Sequence, residues 1–411
     1  MPYIAPFKGL RYDPKKIGSL AKVVTPPYDV ISPKGQAAYY RRHPENFIRV
    51  VYGKQYPSDT PQRNRYTRAK QTLQKWIRTG ILKYDLEPSL YPHCEEYTLG
   101  GKQFQRWGVI AIVRLDSADI YPHEETKGAP KQDRIWLIES VEASLSPIFG
   151  LIPDAGGEYR RSVMRAVISR RPSASVRSEG VTHRLWRIGD SSWISKMQAA
   201  LAKKELVIAD GHHRLEAALF HRNKRKGQDP HFHADSPENF AMFYLAAAGD
   251  EEPGLLPTHR VLQDLSSDRI KRFLQEASKR SHLQSVEGLE SLGARLRSLR
   301  AQGRLGIGLY TGNGGGYLLQ PAQAVSHQLD VEWLHNEILP QWMGREVAIS
   351  YTQDLKEAGH RVKRGTAQAV FVMQPPSLKD VLQRARASVR MPGKTTYFYP
   401  KPLAGLVEYK F

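Results

Sequence analysis

Five consecutive residues near the middle of the sequence carry side chains suited to chemistry: Asp210, Gly211, His212, His213 and Arg214. A glycine turn that leads into a helix aims backbone N–H groups at one point, and the N-terminal end of a helix attracts anions. The arginine adds a forked cation that suits phosphate oxygens, and the carboxylate can hold a metal or orient a hydroxyl. The pattern predicts a phosphate-binding turn with a carboxylate beside it.

The hydrophobic pattern on either side of the turn predicts the elements that hold it. Residues 206–208 are apolar, two of them β-branched, as is typical of a buried strand, and Leu215, Ala218 and Leu219 share one face of a helix. An alternative interpretation makes Asp210 only the N-cap of this helix and places both histidines on the surface. Two histidines followed directly by an arginine favour the functional interpretation.

A second polar stretch, YPHEETKGAPKQDR, contains His123, Glu124 and Glu125. Two adjacent carboxylates beside a histidine can serve as a general base or as metal ligands. A solvated acidic loop explains the stretch equally well. Asp29, after the extended Pro26–Pro27 pair, could line a site, but its setting favours a turn.

The composition is that of a globular protein, with 40% hydrophobic and 25% charged residues in 411. No apolar run approaches a membrane span, the first residues do not have the layout of a secretory signal, and Cys94 is the one cysteine. We therefore expect a cytoplasmic protein. The net charge of +20 suits nucleic acid, an anionic surface or small anionic substrates. Sequence-specific nucleic-acid binding is not expected, because no recognition motif is apparent.

The order of predicted elements indicates a mixed α/β chain of the α+β class with three regions. Residues 1–100 form an N-terminal α/β region, residues 101–262 a core, and residues 263–411 a C-terminal α/β region. Within them we predict a helix over 60–82, a hairpin over 88–115, a surface excursion over 155–180 and a helix over 191–204. The tail contains Gly-Lys-Thr-Thr, which is similar to the end of a phosphate loop but lacks the upstream glycine.

Several short motifs in this order resemble a bacterial and archaeal family catalogued as the domain of unknown function 1015 family. They are PFKGLRYDP, PPYDVISP, PHEET, DR at 133–134, SPIFGL, HRLW, IADGHHR, LPTHR and MPGKTTYFYPK. The resemblance runs nearly end to end. PHEE and DGHHR also resemble free serine kinases built on the ParB/sulfiredoxin fold. The resemblance thus implies a ParB/sulfiredoxin-like nucleotide-binding core with N-terminal and C-terminal α/β extensions.

The favoured interpretation is a small-molecule phosphotransferase in which individual residues have distinct roles; the role of Glu124 is the one that the resemblance to free serine kinases implies. Glu124 would be the catalytic base, with Asp210 and His123 beside it, and the metal would be Mg²⁺ bound by Asp210 and Glu125. ATP or ADP would bind through its phosphates, and the acceptor would be a small molecule such as serine. The residues expected to contact the nucleotide or its phosphates are Gly211, His212, His213, Arg214, His259, Arg260 and Lys394.

Departures from these patterns leave alternatives open. His212 stands where sulfiredoxins carry their reactive cysteine, which excludes that chemistry. No helix-turn-helix like that of segregation ParB proteins follows Leu262, and the interval between PHEE and DGHHR is longer than in the serine kinases. A nucleotide-dependent regulator or nucleic-acid-associated protein is the main alternative. A metal hydrolase using His123, Glu124, His212 and His213 is weaker, because no zinc-ligand spacing is recognisable.

Overall fold

The structure, a computed structural model, describes residues 2–117, 119–126, 128–249, 254–312, 315–323, 329–343 and 347–411. Its chain divides into two compact units, one formed by Met1–Pro253 with Pro400–Phe411 and the other by Gly254–Tyr399. Helices and sheets occur in both, so the protein belongs to the mixed α+β class, as predicted.

The helices are defined by backbone hydrogen bonding in the described residues. They are α1 Pro14–Ile17, α2 Leu20–Val23, α3 Pro33–Arg42, α4 Ile48–Val51, α5 Arg65–Arg78, α6 Gly128–Val141, α7 Glu158–Val167, α8 Ser191–Ala202, α9 His212–Gln228, α10 Ser267–Arg280, α11 Leu289–Ala301, α12 Asp330–Trp333, α13 Leu355–Lys363 and α14 Leu378–Arg386. Short 3₁₀ turns lie at Tyr28–Val30 and Pro237–Asn239, and a π-helical segment at Leu334–Met343.

The strands of the two units are numbered together along the chain. They are β1 Ile4–Ala5, β2 Leu10–Tyr12, β3 Leu82–Tyr84, β4 Tyr91–Leu99, β5 Lys102–Arg114, β6 Ile120–Tyr121, β7 Ala143–Ser144, β8 Ile148–Pro153, β9 Ala174–Ser178, β10 Val181–Leu185, β11 Leu206–Asp210, β12 Phe240–Ala248, β13 Leu255–Leu256, β14 His259–Gln263, β15 Ser281–Glu287, β16 Ile307–Thr311, β17 Gly315–Pro321, β18 Ala348–Thr352, β19 Ala369–Val372, β20 Tyr397–Phe398 and β21 Tyr409–Lys410.

One mixed sheet organises the first unit. Its strand order among the described residues is β6-β11-β8-β12-β5-β4-β10-β9, and β1 pairs with β5. The predicted hairpin over 88–115 is confirmed as β4 and β5, which pair from Tyr91 opposite Ile110 to Leu99 opposite Lys102. Strands β6 and β11 run parallel, so their carboxyl ends lie at the same edge of the sheet.

Helices packed on this sheet complete the core of the first unit. The predicted helix at 191–204 is α8, which Asp190 caps by accepting a hydrogen bond from the backbone N–H of Trp193. The predicted surface excursion over 155–180 is wrong. Helix α7 buries Tyr159, Val163 and Val167, which lie at helical spacing among exposed arginines, and β9 forms one end of the sheet.

The second unit contains its own sheet and its own core. The strand order among its described residues is β15-β17-β16-β19-β14-β18. Helix α10 buries Phe273 and Ala277, and α11 buries Leu292 and Leu296. Apolar residues of β16 and β19 are fully buried as well.

The second unit is inserted between two segments of the first. Its ends meet, because the backbone N–H of Tyr399 donates to the carbonyl oxygen of Gly254 at 2.7 Å. The predicted N-terminal region and most of the predicted core, residues 101–253, fall in one compact unit. That separately folding domains meet at residues 100 and 262 stays a prediction.

Among the helices of the described residues, none combines the length and the hydropathy that a membrane span requires.

The pairing of β5 with β12 leaves no room for a side chain at Gly108. A Cβ atom there would lie 2.2 Å from the carbonyl oxygen of Leu245 on β12. We expect Gly108→Ala to destabilise the fold by about 1–3 kcal/mol, as overpacking does, measured by urea unfolding. Gly227→Ala, within helix α9 and with no neighbour within 4 Å, is the control and should be neutral or stabilising. Equal stability of the two variants would contradict this close approach.

Candidate functional site

The strand, turn and helix predicted around residue 210 are present. Strand β11 ends at Asp210, Gly211 has φ of +95°, and α9 begins at His212. Positive φ favours glycine, and a Cβ atom at this position would also lie 2.9 Å from Nε of Arg214, whose side chain folds back over the turn. Glycine is therefore required both for the backbone angle and for the position of the arginine.

Asp210 links this turn to the end of the chain. Its Oδ2 accepts a hydrogen bond from Nη2 of Arg214 at 2.5 Å, and its Oδ1 accepts one from Nζ of Lys401 at 2.5 Å. The alternative in which Asp210 is only an N-cap is wrong, because Gly211 is the capping residue and both carboxylate oxygens bind cationic groups.

Lys401 joins three distant parts of the chain. Its ammonium also donates to Oδ2 of Asp29 at 2.6 Å, and its side chain is only 5% exposed. Burial alone would lower the pKa of Lys401, but the charges of Asp210 and Asp29 outweigh burial and raise it. The ammonium therefore stays charged, and Asp29, which lies in a turn as predicted, also lines this site.

A third cationic group, Arg134 on α6, lies close to the cluster of Asp29, Asp210, Arg214 and Lys401. Its guanidinium carbon is 3.8 Å from the ring centroid of Tyr28, and its Nε donates to Asp133 at 2.8 Å. Asp133 also accepts from Arg65 at 2.5 Å and from the hydroxyl of Tyr66 at 2.7 Å. Burial raises the pKa of Tyr28 to about 12, while the positive charge of Arg134 opposes the rise.

Arg134 and Arg214 both line a cavity of about 50 Å³. Arg214 is held at its edge by hydrogen bonds to the carbonyl oxygen of Pro147 and to Oγ of Ser146. Most other lining residues are apolar, including Leu137 and Leu145. In such surroundings a charged group interacts more strongly with a partner than it does in water.

The PHEET segment meets the start of α9. The backbone N–H of His123 donates to Nε2 of His212 at 3.3 Å, and the two rings lie perpendicular with centroids 4.8 Å apart. The hydroxyl of Thr126 donates to Glu216 at 2.8 Å. The structure thus brings His123 and His212 together, and both are buried rather than on the surface. Between these contacts, Glu124 is half-buried and Glu125 is exposed; His213 is half-buried.

The remaining predicted residues lie in the second unit. His259 is buried and accepts from the backbone N–H of Met373 at 3.2 Å; burial, and then Arg260, lower its pKa to about 4. The buried Arg260 donates to the carbonyl oxygens of Thr258 and Lys394. Gly-Lys-Thr-Thr leads into β20 and not into a helix, so it lacks the geometry of a phosphate loop. Nucleotide binding by His259, Arg260 and Lys394 stays a prediction.

Sequence reasoning missed three residues that complete the cluster in the first unit, Tyr28, Arg134 and Lys401, and gave a site role for Asp29 only as the less favoured alternative. All four belong to motifs that carry the family resemblance, PPYDVISP, DR and MPGKTTYFYPK. That co-occurrence was the available signal, since nothing in the local spacing of these residues links them.

The fold and this cluster define a mixed α+β protein with a cationic turn at a sheet edge. The chain belongs to the family described as "Protein of unknown function (DUF1015)", whose model matches residues 4–334. No curated protein matches the sequence. The ParB/sulfiredoxin-like core implied by the resemblance stays a prediction.

Several solved structures are distantly similar. A variant of a free serine kinase in complex with AMP has a TM-score of 0.39 at 13% identity, covering 72% of this chain and 92% of that one. A conserved hypothetical protein from Pyrococcus furiosus has a TM-score of 0.36 at 13% identity, covering 71% and 92%. SbnI from Staphylococcus aureus, truncated at its C-terminus, has a TM-score of 0.35 at 11% identity, covering 72% and 85%. Similarity at this level does not establish a shared activity.

The ammonium of Lys401 should stabilise the fold strongly, because it separates two carboxylates. We expect Lys401→Met to cost about 3 kcal/mol, the lower end for a broken buried ion pair, in urea unfolding at pH 7. Lys83→Met is the control, since Lys83 is 61% exposed in its pair with Asp13 and should matter little.

The same pair of variants has a defined pH dependence. A lysine whose pKa is raised on folding contributes its full stability below the unfolded pKa of about 10.4 and loses it as the pH rises further. The difference in the free energy of unfolding between wild type and Lys401→Met should therefore be constant from about pH 7 to about pH 10 and narrow above it. A gap that widened above that pH would contradict a charged Lys401.

Proposed function

We propose that this protein is a nucleotide-dependent phosphotransferase that acts on a small hydroxyl-bearing metabolite. The observation that carries the proposal is the convergence of Arg214, Lys401 and the N-terminus of α9 at the Gly211 turn. A guanidinium that can donate two parallel hydrogen bonds, an ammonium and a helix N-terminus are groups that proteins use to bind phosphate. The resemblance of PHEE and DGHHR to free serine kinases supports the same function.

The charges around the turn favour an anion. The described residues of the cluster include the cations Arg65, Arg134, Arg214 and Lys401 and the carboxylates Asp29, Asp133 and Asp210. Within these ion pairs the cations exceed the carboxylates by one, before the proposed base Glu124 and the partial positive charge of the helix N-terminus are added. A phosphate tail that accepts hydrogen bonds from these groups would balance the excess.

Each residue of the turn has a distinct task in this proposal. Arg214 and Lys401 bind and orient the phosphates, and Asp210 holds both cations in position through its two oxygens. Bound ATP or ADP would supply the phosphoryl group. Glu124 takes the proton of the acceptor hydroxyl, which fits a half-buried carboxylate in a segment that contacts α9. Positioning and electrostatic stabilisation are the main requirements of phosphoryl transfer.

The residues predicted to bind Mg²⁺ do not fit that ion as they are arranged. Each oxygen of Asp210 already accepts a hydrogen bond from a cationic group, and these groups would repel a divalent cation. Glu125 is exposed. The charge that a metal supplies in other phosphotransferases is provided here by Arg214 and Lys401, and no step of the proposal depends on a metal.

Nucleotide binding can be tested at Arg214. We expect Arg214→Ala to weaken the affinity for ATP or ADP by about 1–3 kcal/mol, as for a lost charged hydrogen bond, in calorimetric titration. Arg225→Ala is the matched control, because Arg225 is also an ion-paired arginine of α9 but near its C-terminal end. Unchanged affinity in folded Arg214→Ala would refute the phosphate-binding turn.

Turnover can be tested at Glu124 once a screen of amino acids and small alcohols has identified an acceptor. Glu124→Gln keeps the shape and removes the basicity, so kcat should fall roughly a hundredfold while nucleotide affinity is retained. Glu139→Gln, which alters a surface pair with Lys224, should leave kcat unchanged. Tight nucleotide binding without phosphorylation of any acceptor would favour a nucleotide-binding regulator.

A further inference from the structure

A second cluster of side chains, which could ligate a metal ion, lies elsewhere in the first unit. His93 and Glu95 are two residues apart on β4, so they share one face of the sheet, and His183 on β10 lies directly opposite Glu95. Three strands separate β4 from β11 in the sheet order. This cluster is therefore distinct from the Gly211 turn.

Two of the distances within the cluster are close to those between the ligands of one ion. Nδ1 of His183 is 3.3 Å from Nε2 of His93 and 3.7 Å from Oε1 of Glu95, and the ligand atoms of the three residues all lie within 4.8 Å of one another. Two ligand atoms bound tetrahedrally to zinc at about 2.0–2.1 Å are about 3.3–3.4 Å apart. Small shifts of the side chains would complete such a site.

All three side chains of the cluster are buried. His93 and Glu95 are 0% exposed and His183 is 2% exposed. Burial lowers the pKa of His183 to about 3 and that of His93 well below its usual value, and the charge of Arg106 adds to both effects. The neutral imidazole is the form whose ring nitrogen has a lone pair to donate to a metal.

Arg106 fixes the carboxylate of the cluster. Its Nη1 donates to Oε2 of Glu95 at 3.2 Å and to the carbonyl oxygen of Pro400 at 2.8 Å. The other oxygen of Glu95, Oε1, is the one that faces His183. Such an outer contact orients a metal-binding carboxylate, but the positive charge of Arg106 also opposes a cation. We therefore expect weaker binding than at a site built from cysteine thiolates.

From this geometry we propose that His93, Glu95 and His183 bind one divalent ion of the zinc type. Two imidazoles and a carboxylate suit Zn²⁺ and its neighbours in the first transition row, whereas Mg²⁺ and Ca²⁺ prefer oxygen ligands alone. Because all three side chains are buried, the ion would be structural and would connect β4 with β10. The competing explanation is a chain of hydrogen bonds from Glu95 through the two histidines, with no ion.

Metal binding by the full-length chain distinguishes these explanations. Protein stripped with a chelator is titrated with Zn²⁺ in the presence of a chromophoric competitor. We expect one ion per chain with a Kd at or below about 10 µM, and a Co²⁺ derivative with the intense visible absorption of tetrahedral coordination. Zn²⁺ should also raise the Tm of the wild-type protein, because the ion binds the folded state.

Variants assign the binding to the cluster. His183→Gln should weaken Zn²⁺ binding by about a hundredfold or more and abolish the rise in Tm. His221→Gln is the matched control, because His221 is also a buried histidine but its ring stacks on Phe411; its Zn²⁺ affinity should equal that of the wild type.

Each of three outcomes would overturn the proposal. The first is that the wild-type protein does not bind Zn²⁺ at about 100 µM. The second is that His183→Gln binds Zn²⁺ as tightly as the wild type, which would place the ion elsewhere. The third applies if His183→Gln does not fold. In that case the Co²⁺ spectrum of the wild-type protein decides, and a spectrum without tetrahedral bands supports the hydrogen-bonded chain.

Discussion

The site in the first unit depends on one buried ammonium, that of Lys401, between the carboxylates of Asp29 and Asp210. Two carboxylates so close to one cation would repel each other without it, and each is needed to balance a lysine that is almost wholly buried. Arg214 adds a fourth charge through Asp210. The arrangement keeps cationic groups concentrated at the end of β11 while their local charge is largely compensated within the protein.

The sheet determines which segments can reach this point. Because β6 and β11 are parallel neighbours, the chain leaves both strands at the same edge, and the segments that follow them meet through His123 and His212. Helix α6 brings Arg134 to the same cavity as Arg214. Helices and strands thus position most residues of the cluster. The order of the strands therefore determines which residues meet there more than the flexibility of long side chains does.

Local patterns in the sequence predicted the helices and strands that local interactions determine. The strand and helix around Gly211, the hairpin of β4 and β5 and the helix predicted over 191–204 follow from periodicity and turn chemistry, and all are confirmed. The prediction for residues 155–180 was wrong because it relied on composition, which is rich in arginine there, and overlooked the helical spacing of the apolar residues. Local patterns could not predict which residues far apart in sequence would pair. Asp29 and Lys401 are 372 residues apart, and His183 is 90 residues from His93.

The insertion of the second unit affects how the protein can assemble during translation. Asp210 leaves the ribosome 191 residues before Lys401, which corresponds to roughly 10–40 s at about 5–20 residues per second. Throughout that interval the first unit has its two carboxylates but not their ammonium, and β7 lacks β21. The inserted unit, whose ends already meet, can complete its own sheet within the same interval. The nascent first unit is therefore the part of the chain that would benefit from chaperone protection until its last twelve residues emerge.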